Sequence, residues 1–311
     1  MEYRRLGLAG AKVSVIGLGT NQFGGKVEQA DVNEIIDAAI DMGINFIDTA
    51  NMYQKGRSEE TLGVALKGKW DKVVLATKGF FKVGEGVNDG GASRYHLISA
   101  VEASLRRLQS DHIDLYQMHR WDEETPLEET LRALDDLVTA GKIRYIGASN
   151  YMSWQLARAN MLADLHSWAP MVSVQNHYHM MERQAEDEML PYCAKHGVGF
   201  IPFFPLAGGF LTGKYKRGEA APAGSRGESS PYVQRYMTES NYDKVEALAA
   251  WATERERTMA ELAQAWLMAQ PGVCSVISGA SKLSHLQHNA KAADWQLSAD
   301  DVTAVNEILA G

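Results

Sequence analysis

The chain has 311 residues, of which 45% are hydrophobic, and this is enough for one large core. It carries 31 basic and 39 acidic residues, and the net charge of −8 argues against non-specific binding to nucleic acid or to an anionic membrane surface. The two cysteines, Cys193 and Cys274, provide neither a disulfide framework nor a metal-ligand spacing. No segment resembles a signal peptide or a membrane span, so we expect a cytoplasmic protein.

Short apolar runs alternate with longer helical patterns along the chain. The first residues, around 3–6 and 12–15, predict a small hairpin. The runs that follow are continuous rather than alternating, which is typical of strands covered on both faces. They comprise residues 13–18, 44–48, 73–77, 113–118, 143–149, 171–175, 200–202 and 274–277.

Helix-capping residues separate these runs and predict a helix after most strands. Gly43 and Gly141 mark two helix ends. The predicted helix starts are Asp31 with Glu34, Ser58, Ser93, Thr125 with Glu128, Thr258 with Glu261, and Ser298 with Asp301.

Eight strands, each followed by helical sequence, predict a (β/α)₈ barrel with an N-terminal β-hairpin and one domain over residues 1–311. The main competing fold is a doubly wound open sheet. The strand count favours the barrel. Gly17 and Gly19 also fail to continue into a dinucleotide-binding fingerprint, because Gln22 occupies the position of its third glycine.

Four ionisable side chains follow three neighbouring strands of the predicted barrel. Asp48 ends the second strand, Lys78 the third and His119 the fourth, and Tyr53 follows Asp48 by five residues. Barrel enzymes carry their catalytic groups at these strand ends, so we expect the four to meet at one rim. Lys78 would lower the pKa of the Tyr53 phenol, and Asp48 would keep Lys78 charged. Tyr53 would then protonate an alkoxide, with His119 bonded to the substrate or the phenol.

The segments that carry these residues resemble the aldo-keto reductase family. The matching stretches are 48–53, 77–79, 104–108 and 111–122, and the resemblance extends over essentially the whole chain. It implies the barrel fold, no metal, bound NADPH/NADP⁺, and a catalytic tetrad of Asp48, Tyr53, Lys78 and His119. The implied reaction is the reversible reduction of a small aldehyde or ketone to its alcohol.

The resemblance also assigns a cofactor site to the second half of the barrel. Ser149, Asn150 and Gln175 match residues that bind the nicotinamide carboxamide, and Phe203 matches an aromatic that stacks on the ring. Lys282, at a helix start after the eighth strand, would bind the 2′-phosphate of NADPH. The remaining expected contacts are Gly19, Thr20, Asn21, Asp48, Phe204, Pro205, Leu206, Ala207, Gly208, Lys214, Gly279, Ser281, His285, His288 and Asn289.

Two of these contacts depart from the family pattern. Phe204 stands where serine is frequent, which removes a polar contact. His285 and His288 replace the usual glutamine and acidic residue, so use of NADH stays open.

Four segments would roof the site, at 21–26, 80–93, 121–124 and 207–242. We expect the glycine-rich stretch 84–91 to be mobile and the long last segment to fold over the cofactor. The apolar side chains in these segments and near Tyr53 suit an apolar or ring-bearing carbonyl compound. The candidate substrate contacts are Phe23, Met52, Phe80, Phe81 and Trp121.

Two other functions stay open. A metal-dependent hydrolase could recruit His177 and His179 together with Asp48 and His119, but Lys78 would repel the metal. A non-catalytic NADPH-binding subunit, as in channel-associated members of the family, is the second alternative, and the complete tetrad favours an enzyme. The physiological substrate, the stereochemistry and the oligomeric state are not determined by the sequence.

Overall fold

The computed structural model describes all residues from 1 to 311. At the N-terminus, strands β1 (Tyr3–Arg5) and β2 (Lys12–Ser14) pair as an antiparallel hairpin, which confirms the sequence prediction. Apolar side chains of this hairpin and its turn pack across the bottom of the barrel. They are Leu6, Ala9 and Val13, in contact with a cluster that includes Phe46, Leu115 and Ile201.

Eight parallel strands form a closed barrel in which each strand pairs with the next and the last pairs with the first. The predicted (β/α)₈ fold is therefore confirmed. The strands are β3 (Ile16–Gly19), β4 (Phe46–Asp48), β5 (Val74–Gly79), β6 (Ile113–Met118), β7 (Ile143–Ser149), β8 (Met171–His177), β9 (Gly199–Phe203) and β10 (Val276–Gly279).

Helices surround the barrel and bury one face each, as α1 does with Val32, Ile35 and Ile36. None of them combines the length and apolar composition that crossing a bilayer requires. They are α1 (Gln29–Asp41), α2 (Arg57–Ala65), α3 (Arg94–Leu108), α4 (Leu127–Thr139), α5 (Ser153–His166), α6 (Met189–His196), α7 (Arg226–Ser229), α8 (Pro231–Gln234), α9 (Glu239–Thr253), α10 (Met259–Met268), α11 (Leu283–Ala292) and α12 (Ala299–Ala310).

Several strand predictions needed correction at their ends, among them 44–48, where the barrel strand begins only at Phe46. The run 13–18 is divided between the hairpin and the barrel, because the chain bends at Val15, after the last hairpin residue Ser14. The Ser14 hydroxyl donates to the carbonyl of Ile16, and its backbone N–H donates to Asn45 Oδ1 at 2.7 Å. The last barrel strand begins at Val276, where pairing with Ile16 starts, rather than at residue 274.

Three of the predicted helix starts are wrong. Helix α1 begins before Asp31, at Gln29. Ser58 lies inside α2 and Thr125 lies before Pro126, which caps α4 without a side-chain hydrogen bond. The side chains of Ser93, Thr258 and Ser298 do accept capping hydrogen bonds.

The segment 207–242 is more ordered than a plain loop. It contains a 3₁₀ turn (Ala207–Thr212) followed by α7 and α8. Buried Phe210, Val233 and Tyr236 fix it to the barrel. It therefore forms an ordered wall that follows β9 and reaches His177, at the end of β8, through Tyr232.

Candidate active site

A buried ion pair lies at the C-terminal end of the barrel. Lys78, on β5, donates from Nζ to Asp48 Oδ2 at 2.7 Å and to the carbonyl oxygen of Thr49 at 2.7 Å. The side chains of Lys78 and Asp48 are 0% and 4% exposed. Removing one partner of such a pair costs about 3–5 kcal/mol, because the other charge is left buried and uncompensated. The pair therefore fixes the ends of β4 and β5 relative to each other.

Two amides hold the second oxygen of Asp48. Oδ1 accepts from Gln117 Nε2 at 3.2 Å and from Gln175 Nε2 at 2.9 Å. Gln117 was not predicted. It lies opposite Lys78 in the β5–β6 ladder. Only this strand register, which the sequence does not show, would have indicated that Gln117 belongs to the site. Gln175 was predicted to bind the nicotinamide, whereas here its amide nitrogen orients Asp48.

Tyr53 begins a tight 3₁₀ turn (Tyr53–Gly56) that leads from β4 into α2. Gln54, Lys55 and Gly56 in this turn have φ values of 51°, 58° and 91°. The turn brings the phenol ring to the ion pair, with Lys78 Nζ 5.2 Å from its centroid. The ring of His119 makes an edge-on contact with it, at 5.9 Å between centroids. The four predicted tetrad residues therefore meet at one rim.

Burial dominates the acidity of the phenol. It raises the pKa of Tyr53 above its ordinary value, and the opposing effect of Lys78 is smaller. The sequence predicted that Lys78 lowers the pKa of Tyr53. The charge of Lys78 does lower it, but the net shift is upward because burial has the larger effect, so the prediction of a lowered pKa is wrong. For Lys78, burial lowers the pKa, but Asp48 and Tyr53 together outweigh it and leave the pKa raised. The resting site therefore pairs a protonated phenol with a charged ammonium.

His119 follows β6 directly. Burial, with the nearby charge of Lys78, lowers its pKa to about 3, so the imidazole is neutral at pH 7. Its Nδ1 atom is buried without a hydrogen-bond partner. A neutral imidazole can donate one hydrogen bond without adding a second positive charge.

Aromatic side chains surround this cluster on the side of β5 and β6. The ring of Phe81 contacts His119 at 4.9 Å and Phe80 at 5.4 Å between centroids. Trp121 contacts Trp154 at 5.5 Å. Met52 is exposed beside Tyr53. Trp154, on α5, was not singled out from the sequence.

Phe23 does not belong to this aromatic wall. It has 0% exposure and packs inside the main core, next to a bridge with Val27. Its prediction as a substrate contact is wrong because it presents no surface to a ligand.

Several predicted cofactor contacts support the site from within the protein. The Thr20 hydroxyl donates to the carbonyl of Asp48 at 2.9 Å, and Asn150 Nδ2 donates to the carbonyl of His119 at 3.1 Å. Asn289 Nδ2 donates to the carbonyl of Gly279 at 3.3 Å. These side chains order the rim. Ser149 lies beside Asn150, its Oγ accepting a second bond from Asn150 Nδ2 at 3.1 Å.

Positive charge collects after β10, where Lys282 precedes α11. Burial lowers the pKa of His285, and the charges of Lys282, Lys214 and His288 lower it further. The Ser281 hydroxyl lies 3.3 Å from His285 Nδ1. The charges of Lys282 and Lys214 both act on His285, so two ammonium groups lie close to this point of the rim.

The other predicted contacts line the same end of the barrel. Gly19 pairs with Gly279 at the β3–β10 closure. Exposed Asn21 follows β3, with its carbonyl accepting from Gln54 Nε2 at 2.8 Å. Gly208 has a φ of 68°, which a residue with a side chain rarely adopts. Phe204, Pro205 and Leu206 connect β9 to the 3₁₀ turn, whose first residue, Ala207, is fully buried.

The two histidines considered as metal ligands contact each other. His177 Nε2 lies 3.0 Å from His179 Nε2, and the Tyr232 hydroxyl lies 3.0 Å from His177 Nδ1. Phe203 stacks on His177, with centroids 5.4 Å apart. No group of three or more histidine, cysteine or acidic side chains is placed to hold a metal ion.

The fold and the rim cluster occur together in a known protein family. The sequence model of the aldo/keto reductase family matches residues 15–310. The chain belongs to the aldo/keto reductase family. Its members are oxidoreductases that use nicotinamide cofactors and act on small carbonyl compounds.

Individual relatives of this aldo/keto reductase cover nearly the same length. A protein of Arabidopsis thaliana named probable voltage-gated potassium channel subunit beta is 38% identical, over 94% of this chain and 92% of the relative. Versiconal hemiacetal acetate reductase of Aspergillus parasiticus is 36% identical, over 89% and 88%. Aldo-keto reductase YhdN of Bacillus subtilis (strain 168) is 35% identical, over 99% and 94%.

Proposed function

We propose that the protein reduces an aldehyde or ketone to the alcohol with NADPH, and that Tyr53 is the proton donor. One observation carries the proposal: the phenol of Tyr53 lies beside the buried Lys78–Asp48 pair and against the ring of His119. A phenol is a poor acid in water near neutral pH. Beside a fixed ammonium, the phenolate that remains after proton transfer is stabilised.

Each residue of the tetrad has one task in this reaction. The chemistry that NADPH would contribute when bound is a hydride for the carbonyl carbon. Tyr53 donates its hydroxyl proton to the carbonyl oxygen, and the ammonium of Lys78 stabilises the phenolate left behind. Asp48 holds that ammonium in place. His119 donates a hydrogen bond to the same oxygen. The negative charge of the alkoxide therefore develops next to hydrogen-bond donors and an ammonium group that are already in place.

The charge distribution supports NADPH rather than NADH. Lys214, Lys282 and His288 lie close enough to His285 for their charges to lower its pKa. The 2′-phosphate of NADPH carries the negative charge that such a cluster would bind. The start of α11 adds free backbone N–H groups and the positive end of the helix dipole.

The cofactor's reactive end would lie nearer the tetrad. Ser149 and Asn150 end β7 beside His119, and they would bind the carboxamide. Phe203 has one face against His177, and its other face would meet the nicotinamide ring. Gly208 would allow the backbone to approach the pyrophosphate.

The aromatic wall favours an apolar or ring-bearing substrate. Phe80, Phe81 and Trp121 are partly exposed at the rim, and Phe81 contacts His119. Such surfaces bind planar apolar groups through area burial and ring contacts. Met52 would add an adaptable contact on the opposite side of Tyr53.

An assay that follows the absorbance of NADPH in the presence of a panel of aldehydes and ketones tests the proposal. We expect carbonyl-dependent oxidation, fastest with aryl and long-chain aldehydes, and a lower kcat/KM with NADH. Tight NADPH binding without turnover across the panel would instead identify the non-catalytic subunit alternative.

A further inference from the structure

A buried carboxylate behind the tetrad has no part in the reaction described above. Glu59, in the first turn of α2, is 0% exposed. Its Oε1 accepts from the Thr77 hydroxyl at 2.6 Å, and its Oε2 accepts from Arg107 Nε at 2.7 Å. Glu59 therefore ties together α2, β5 and α3.

Both ends of this connection adjoin the tetrad. Thr77 immediately precedes Lys78 on β5, and its side chain faces the helices while that of Lys78 faces the barrel interior. Glu59 follows the turn that carries Tyr53. Arg107 also packs against that turn, because its Cδ atom lies 2.9 Å from where a Cβ on Gly56 would stand. The three residues thus join the strand of the ammonium to the turn of the phenol.

Ser58 supplies a second connection from the same helical turn. Its hydroxyl donates to the carbonyl of Thr20 at 2.9 Å and lies 2.9 Å from the hydroxyl of Thr49. Thr20 in turn donates to the carbonyl of Asp48 at 2.9 Å. The start of α2 is therefore fixed against the ends of β3, β4 and β5.

This arrangement bears on rate because proton transfer depends on position. A displacement of about 1 Å at a reacting group can cost about 100-fold in rate. The side-chain hydrogen-bond partner of the Tyr53 hydroxyl is Lys78, below it in the barrel. Its place over Lys78 is set by the turn and by what anchors that turn.

We propose that Glu59, together with Thr77 and Arg107, is a positioning device that holds the Tyr53 phenol over the Lys78 ammonium. The inference rests on the proposed reaction, because it concerns the geometry of that proton transfer. None of the three residues touches substrate or cofactor. Their removal should lower kcat and leave the KM for the carbonyl compound and the Kd for NADPH nearly unchanged.

Two variants of different severity test this. Thr77→Val removes the hydroxyl donor and keeps the shape of the side chain, and we expect kcat to fall about 10-fold. Thr77→Ser retains the hydroxyl and should restore kcat. Glu59→Gln breaks the charge pair with Arg107, and we expect a loss of about 100-fold. In both deficient variants the alkaline limb of the pH–rate profile should shift, because the distance between phenol and ammonium changes.

Asp114→Asn is the matched control. Asp114 is also buried, accepts from the backbone N–H of Leu75 at 2.9 Å and from Arg144 at 2.6 Å, and has no link to the turn of Tyr53. It should lower Tm as Glu59→Gln does while kcat and the pH profile stay at wild-type values.

The outcomes separate the inference from the reaction on which it rests. If Thr77→Val and Glu59→Gln lose no more kcat than Asp114→Asn, the positioning role is wrong and the proposed reaction stands. A wild-type protein that turns over no carbonyl compound overturns the proposed reaction and the inference with it.

Discussion

The two halves of the barrel rim differ in how their charges are balanced. In the first half, Lys78 has Asp48 as its counterion, and Asp48 has further donors in Gln117 and Gln175. In the second half, the charges of Lys282 and Lys214 act on His285 and lower its pKa. The charges of the first half are balanced within the protein, with the help of one amide from β8, whereas a bound anion would balance Lys282 and Lys214.

Under the proposed function, this contrast divides the rim into a reacting half and a binding half. Fixed dipoles and charges need no reorganisation when the transition state forms, so the first half suits chemistry. Unbalanced cations gain most when a phosphate arrives, so the other half suits binding. Substitutions in the first half should therefore lower rate, and substitutions in the second should lower affinity.

Lys78→Met should have the largest effect. It leaves Asp48 buried without its cation, and we expect a loss of about 3–5 kcal/mol in the free energy of unfolding. The rate should fall about 1000-fold, because the phenolate is no longer stabilised. Denaturant unfolding and steady-state kinetics measure the two effects.

The double variant Lys78→Met with Asp48→Asn separates stability from chemistry. It removes the uncompensated charge and should recover much of the stability, while the rate stays low. Recovery of rate along with stability would show that Lys78 acts only on folding.

Lys282→Ala probes the binding half. A charge-assisted hydrogen bond contributes about 1.5–3 kcal/mol, so the Kd for NADPH should rise about 10- to 100-fold. NADH lacks the 2′-phosphate and should bind nearly as before. The control is Lys291→Ala, an exposed lysine in the last turn of the same helix. Fluorescence titration measures both affinities. An equal loss of affinity for NADPH and for NADH would show that Lys282 does not bind the 2′-phosphate.

The direction of the reaction should depend on pH through Tyr53. Its raised pKa means that the phenol loses its proton only above the ordinary value near 10. Reduction needs the protonated form, so kcat/KM for reduction should be flat at neutral pH and fall in the alkaline range. Oxidation of the alcohol needs the phenolate and should rise by up to about tenfold per pH unit towards that range. If the pH profile of kcat/KM for reduction were bell-shaped and centred near neutral pH, a group other than Tyr53 would be the acid.

His285 should add a smaller dependence on pH to NADPH affinity. Its pKa is lowered in the free protein by burial and by Lys282, Lys214 and His288. A bound phosphate would raise that pKa. The contribution of His285 to affinity is therefore fully present below its free-state pKa and is lost as pH rises through the bound-state pKa. NADPH titrations of wild type and His285→Gln from acidic to alkaline pH measure this dependence. The Kd for NADPH of the variant should be a few-fold higher than that of wild type at acidic pH, and the two values should converge as pH rises.

The sequence contained the fold and the tetrad because both depend on local order along the chain. Continuous apolar runs and helix caps specify a parallel barrel, and strand ends then place Asp48, Lys78 and His119 at one rim. Tyr53 could be placed because its turn follows β4 directly. These features need no knowledge of distant contacts.

What the sequence did not disclose depends on pairing across the chain. Glu59 and Arg107 are 48 positions apart, and nothing local indicates that they meet. Gln117 resembles a stray polar residue in an apolar strand until the β5–β6 register is known. The sequence also did not show how deeply Tyr53 and Phe23 are buried. For this reason the predicted direction of the pKa shift of Tyr53 and the prediction of Phe23 as a substrate contact were wrong.

Single-turnover oxidation of bound NADPH by an aryl aldehyde, in wild type and Tyr53→Phe, tests the central claim most directly. We predict that Tyr53→Phe binds NADPH with unchanged Kd and oxidises it about 1000-fold more slowly, because only the proton donor has been removed. Oxidation of NADPH by Tyr53→Phe at the wild-type rate would contradict the assignment of Tyr53 as the proton donor.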